Sequence, residues 1–118
     1  MSPTRVLRVE PAVGSGDYFI GEVMSRRLLP GERERPGVAT VRFAEGARTR
    51  PHTHSGEQII FVVDGELEIS TSEETVRAGR SDLIVCPAGI EHTHAAVDGA
   101  CETFVITWGA TEWADARH

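Results

Sequence analysis

The sequence predicts an all-β fold in which two antiparallel sheets close into a jelly-roll barrel. Short runs of β-branched, aromatic and alternating residues are separated by Gly, Pro, Asp and Ser at spacings of about eight to twelve residues, the pattern of a sandwich or barrel. No long segment of helical periodicity competes with it. The 118 residues make one domain, large enough to bury a core without disulfide staples.

Taken in order, the expected strands are YFIGEVM (18–24), GVATVRF (37–43), PHTH (51–54), EQIIFVV (57–63), ELEIST (66–71), ETVRAG (74–79), SDLIVC (81–86), EHTHAAV (91–97) and CETFVITW (101–108). LPGERERPG (29–37) reads as a charged surface loop, and ATEWADARH (110–118) as a last helical turn or a tail. Asp64-Gly65 predicts a tight hairpin between its neighbours, because a type I′ turn needs positive φ at both central residues. Residues 37–108 are thus the barrel core. Residues 1–36 are N-terminal strands and a loop packed on the barrel or on a partner subunit, and 109–118 are a C-terminal tail.

Side chains alternate faces along a strand, so Gln58, Ile60 and Val62 share one face of EQIIFVV and Ile59, Phe61 and Val63 share the other. Both faces are apolar, which asks for a cover on the outer one. The first thirty residues or a second subunit would supply it, and a homodimer is expected.

The net charge of −6 repels phosphate backbones and anionic membranes on average, so neither nucleic acid nor a membrane is an expected partner. No apolar run is long enough to span a bilayer and no secretory signal is readable, so a soluble, cytoplasmic protein is expected. All twelve cationic residues are Arg; without Lys, Schiff-base chemistry is excluded. Cys86 and Cys101 have neither CxxC spacing nor a disulfide framework and read as small buried residues.

Four of the five histidines form two His-x-His pairs, His52 with His54 and His92 with His94, each on a segment read as β; His118 at the end reads as surface. Residues i and i+2 of a strand share a face, so two imidazoles of one strand can point at one centre while a second strand adds a third from across the barrel. Gln58 begins the following strand on its inward face, where its amide oxygen can reach the same centre. The geometry suits a metal ion.

GARTRPHTHSGEQ (46–58), followed by Gly65, resembles the first motif of the cupin family, G(x)5HxH(x)3–4E(x)6G, and PAGIEH (87–92) resembles the second, PxG(x)2H. The resemblance spans roughly residues 37 to 108 and implies the cupin double-stranded β-helix. It also implies one divalent ion per chain on His52, His54 and His92, with Gln58 at the position usually held by Glu. Manganese and iron suit this set best, and nickel or zinc also fit it. A neutral amide there leaves the ion with one more net positive charge and raises its Lewis acidity. Ala96 stands where many cupins close the second motif with Asn.

The HTHxxxQ form together with FIGEV (19–23) is similar to a subgroup of small single-domain cupins that includes bacterial manganese-dependent hydroxynitrile lyases, enzymes that split cyanohydrins into a carbonyl compound and cyanide. The resemblance implies a metal-dependent enzyme acting on a small oxygen-bearing substrate by Lewis-acid and proton-transfer chemistry. A cupin dioxygenase and a non-catalytic metal- or ligand-binding module are the alternatives. His94, two positions past a ligand on the same face, is the expected general base, or else a fifth ligand or an orienting neighbour. Ala39, Val41 and Phe104 are the expected substrate-pocket residues. In an ungapped comparison Phe104 takes the place of a polar residue that those lyases carry on the last strand.

Overall fold

The computed structural model describes residues 4–14 and 16–114. In chain order the strands are β1 (Val13–Gly14), β2 (Phe19–Ile20), β3 (Val23–Leu29), β4 (Gly37–Phe43), β5 (Arg48–Thr49), β6 (His52–His54), β7 (Gln58–Asp64), β8 (Leu67–Ser70), β9 (Thr75–Ala78), β10 (Leu83–Cys86), β11 (Thr93–Ala95), β12 (Cys101–Thr107) and β13 (Thr111–Trp113), with one 3-10 turn at Gly16–Tyr18. One sheet has the order β1-β3-β4-β12-β7-β10, a second β2-β5-β11-β8-β9, and β13 pairs with β6. The fold is the all-β jelly-roll barrel that the sequence predicts. No helix among the described residues is long and apolar enough to cross a membrane.

The core lies where the inward residues of the two sheets meet. Ile60 and Val62 of β7, Leu67 and Ile69 of β8, Ile84 and Cys86 of β10, and Phe43 of β4 are all buried. Along β7, β8, β10 and β12 the buried residues fall at every second position, as period-2 alternation requires. Both cysteines are free and buried, and burial pushes the Cys86 thiol up to about 11.

Local backbone chemistry explains where the structure departs from the expected strands. YFIGEVM is broken at Gly21, which has φ +83° and would bring a Cβ to 3.0 Å from Ala47. The break lets β2 join one sheet and β3 the other, and β3 then runs on to Leu29. Asp64-Gly65 does not close a hairpin: β7 pairs with β10 and β12, whereas β8 pairs with β9 and β11. The chain changes sheets there. Only Gly65 of the two has positive φ, and a Cβ on it would overlap the Ala100 carbonyl.

Two further differences lie at the ends. Thr111–Trp113, within the segment read as a helical turn or tail, forms β13 in register with the histidine strand, Thr111 opposite His54 and Trp113 opposite His52. Residues 1–3 and 115–118, His118 included, lie outside the described residues. At the other end, β1 and β3 extend the large sheet beyond β4 and leave the outer face of β7 open, with Phe61 and Val63 exposed.

Candidate metal centre

The two His-x-His segments lie side by side. His52 and His92 are joined by an antiparallel bridge, with the His52 N–H donating to the His92 carbonyl at 3.1 Å and the His92 N–H to the His52 carbonyl at 2.9 Å. Turn chemistry holds this pairing. Gly89, at φ +76°, donates its N–H to the His54 carbonyl at 2.8 Å, and Gly46, at φ +80°, donates to the Ala96 carbonyl at 2.7 Å. Ala96 is fully buried against this turn.

The four imidazoles converge inside the barrel. Ring centroids lie 4.5 Å apart for His52 and His92, 5.0 Å for His52 and His54, 5.1 Å for His54 and His92, and 4.8 Å for His92 and His94, whose rings stack. Donor atoms of His52, His54 and His92 all lie within 4.8 Å of one another. A second group of the same tightness joins Cys86, His92 and His94.

Hydrogen bonds fix which ring nitrogen faces the centre. His52 Nδ1 lies 2.8 Å from the Arg50 carbonyl and His92 Nδ1 lies 3.0 Å from the Ile90 carbonyl. A carbonyl can only accept, so each Nδ1 carries the proton and each Nε2 keeps its lone pair. His54 Nδ1 is paired with Thr111 Oγ1 of β13 at 2.8 Å, and Gln58 Nε2 donates to Thr107 Oγ1 at 2.9 Å.

These contacts leave a set of buried polar atoms without partners. Nε2 of His54, His92 and His94 and Oε1 of Gln58 are buried and have no hydrogen-bond partner. A buried polar atom without a partner costs about 1–3 kcal/mol, so such a group of them signals a missing ligand. Burial also lowers the pKa of all four histidines, His52 and His54 to about 4. Neutral imidazoles with free lone pairs and an amide oxygen are donors that fit a divalent cation. The site brings His52, His54, Gln58, His92 and His94 together.

A cavity of about 230 Å³ opens beside these residues. Ala39, Val41 and Phe43 of β4 and Val105 of β12 form one wall, and Phe19 and Trp113 another. Trp113 packs against His52 at a centroid distance of 4.5 Å, stacks on Tyr18 at 4.8 Å and meets Phe19 edge-on at 5.4 Å.

Phe104 corrects the sequence reading, because it is not on the cavity. Along β12 the residues Cys101, Thr103 and Val105 are buried, while Glu102, Phe104 and Ile106 share the outward face. Glu102 carried the signal, since a carboxylate on the inner phase would have been desolvated without a partner. The polar inward residues of this strand are Thr103, whose hydroxyl donates to the Val41 carbonyl at 2.9 Å, and Thr107. Thr111 and Trp113 were missed because a three-residue strand leaves little periodicity to read.

The Cupin domain family model matches residues 39–107. Among solved structures, a cupin-like protein from Thermotoga maritima is similar with 28% identity and a TM-score of 0.79, covering 94% of this chain and 89% of that one. An acetylacetone dioxygenase from Acinetobacter johnsonii shares the fold with a TM-score of 0.82 at 15% identity, covering 98% and 80%. A predicted oxalate decarboxylase from Thermotoga maritima does so with a TM-score of 0.74 at 20% identity, covering 90% and 100%. No curated protein matches the sequence.

Proposed function

This chain belongs to the cupin family, and from that premise we propose that it is a metal-dependent enzyme acting on a small oxygen-bearing substrate by Lewis-acid and proton-transfer chemistry, as hydroxynitrile lyases do. One divalent ion per chain, manganese or iron, is held by His52, His54, Gln58 and His92. The observation that carries this reading is the group of buried, partnerless polar atoms on His54, His92 and Gln58, beside an apolar cavity.

The ion, when bound, supplies polarisation of a substrate oxygen and eases loss of its proton. Thr107 orients the Gln58 amide, and Thr111 orients His54. Val41, Phe43, Phe19 and Trp113 keep water from the substrate. His94 holds the mobile proton at Nε2, which faces no competing donor. In the cyanohydrin reaction the substrate O–H gives its proton to His94 Nε2. The C–CN bond then breaks with its electron pair leaving on cyanide, and the proton passes to cyanide as the carbonyl product forms.

The test is elemental analysis of protein purified without added metal, followed by assays with cyanohydrins and with 1,3-diketones under oxygen. A stoichiometric divalent ion with cyanohydrin cleavage supports the reading. Oxygen consumption with diketones alone would replace it by a dioxygenase, and full-length folded protein that takes up no ion would leave only a binding module for a small ligand.

We also propose that the protein is a homodimer joined through the outer face of the large sheet. Cross-strand register aligns Leu83, Phe61 and Phe104 in one row and Val85, Ile59 and Ile106 in the next, with no charge in either. Leu83 and Val85 are more than half exposed. Uncharged rows can pair with their own copy under a two-fold axis, which suits a second copy of the same chain.

A further inference from the structure

The cavity does not end at Ala39. Past Ala39, Val105, Thr107 and Thr111 it continues into a second groove that Arg27 also lines. Strand register puts Arg27 on the cavity side of the sheet: Val23 pairs with Phe43, Ser25 with Val41 and Arg27 with Ala39, and directly paired residues point to the same face. The guanidinium of Arg27 makes no ion pair among the described residues, whereas Arg35 is paired with Glu32 and Arg77 with Glu66, Glu68 and Asp98.

The charge around this path is one-sided. The chain has eighteen acidic residues and a net charge of −6, yet among the described residues no Asp or Glu lines either the cavity or the groove. The donors at the inner end, imidazoles and an amide, are neutral and would leave a bound cation's charge uncompensated. An anion placed between that end and Arg27 meets positive potential on both sides.

We propose that the substrate is a small organic carboxylate, gripped by Arg27 through its carboxylate while a second oxygen function reaches the centre held by His52, His54, Gln58 and His92. This rests on the metal-centre reading above and narrows its substrate class. A guanidinium fork matches a carboxylate bidentately, which a point charge does not. The span fits a small molecule. β3 and β7 are three strand spacings apart, about 14 Å along the sheet, and the long side chains of Arg27 and Gln58 take up much of it. Between them the apolar wall of Ala39, Val41 and Val105 accommodates a body of a few carbon atoms.

The test is calorimetric titration with lactate and with its neutral isostere lactamide. Wild type, Arg27→Gln and Arg26→Gln are each titrated manganese-loaded and metal-free, with bound manganese measured separately. Arg26 is the control because it pairs with Thr40 on the outward face. The expected result is that lactate is preferred over lactamide in wild type and in Arg26→Gln, and that the preference falls about tenfold in Arg27→Gln in both metal states. Equal binding of the two compounds to wild type, or a preference that survives in Arg27→Gln, overturns the proposal. If neither manganese nor, in a parallel loading, ferrous iron is taken up, the metal-centre reading fails on that measurement, and the metal-free titrations still decide the role of Arg27.

Discussion

Thr107 Oγ1 accepts a hydrogen bond from Gln58 Nε2 at 2.9 Å, and the two residues are direct cross-strand partners on β12 and β7. With Nε2 held on Thr107 through one of its two N–H groups, the Gln58 amide keeps Oε1 free for the centre. Thr107→Val keeps the shape and removes the acceptor, freeing the amide to rotate. Metal affinity is expected to fall about tenfold to a hundredfold, as for other residues that orient a ligand, with thermal stability nearly unchanged. Chelator competition measures the affinity, and an unaltered value would show that Thr107 does not orient the amide.

His52 and His94 separate binding from chemistry. His52→Ala deletes a donor that shares the first cluster with His54 and His92, and it is expected to lose most bound metal together with activity. His94→Ala is expected to keep its metal and lose the proton-transfer step, lowering kcat by about a hundredfold or more. Metal content and single-turnover rates on both variants decide the point. Loss of metal in His94→Ala would assign Nε2 of His94 to the ion instead.

The sequence was most legible where period-2 alternation coincided with residue types of narrow use. His52, His54, His92 and His94 stand on short β segments bounded by turn residues, so their shared face followed from spacing alone. Tertiary context decided the rest. Asp64-Gly65 carries hairpin chemistry, but the two strands it joins find partners in different sheets, a choice set by the barrel and not by the dipeptide. On β12 both phases carry apolar residues, so apolar content alone does not tell Phe104 from Thr103 and Val105, which face inward. Trp113 contacts the site through pairing of β13 with β6 across a long sequence separation, which no local pattern records.

Trp113 joins the walls of the cavity to the ligands, touching Tyr18, Phe19 and His52. Trp113→Ala removes these ring contacts from a partly exposed position. A loss of about 1–2 kcal/mol in the metal-free protein is expected, seen as a melting temperature lower by several degrees. The ligands themselves remain, so metal should still bind, while KM rises for substrates that lean on the lost wall. A variant with unchanged melting temperature and KM would remove Trp113 from the site.

Acid should weaken the centre in a defined window. Burial lowers the His52 and His54 pKa values from 6.5 to about 4, so between those values the unfolded chain binds protons that the folded metal-free protein refuses. Stability is therefore undiminished above pH 6.5 and is lost as the pH falls through the window toward 4. Protonation of the same imidazoles competes with metal in the same direction. Melting of the metal-free protein from pH 7.5 to 4.5 should show a decline that flattens in a His52→Gln, His54→Gln double variant. A curve with the same slope in both proteins would place the acid sensitivity elsewhere.

The uncharged rows on the outer sheet face predict an association that one charge can break. Leu83 is 59% exposed and Phe61 38%, so a polar replacement of Leu83 costs the isolated fold little. In a two-fold interface each substitution occurs twice and buries two carboxylates against apolar partners, a far larger penalty than the same change makes on an open surface. Leu83→Glu should thus convert a micromolar or tighter dimer to monomer in sedimentation velocity, with far-UV circular dichroism, metal content and melting of the monomer unchanged. Glu66→Gln, on the short turn leading into β8, serves as a control that leaves association intact. Wild-type protein that sediments as a monomer at high micromolar concentration would refute the dimer and leave the exposed face for some other partner.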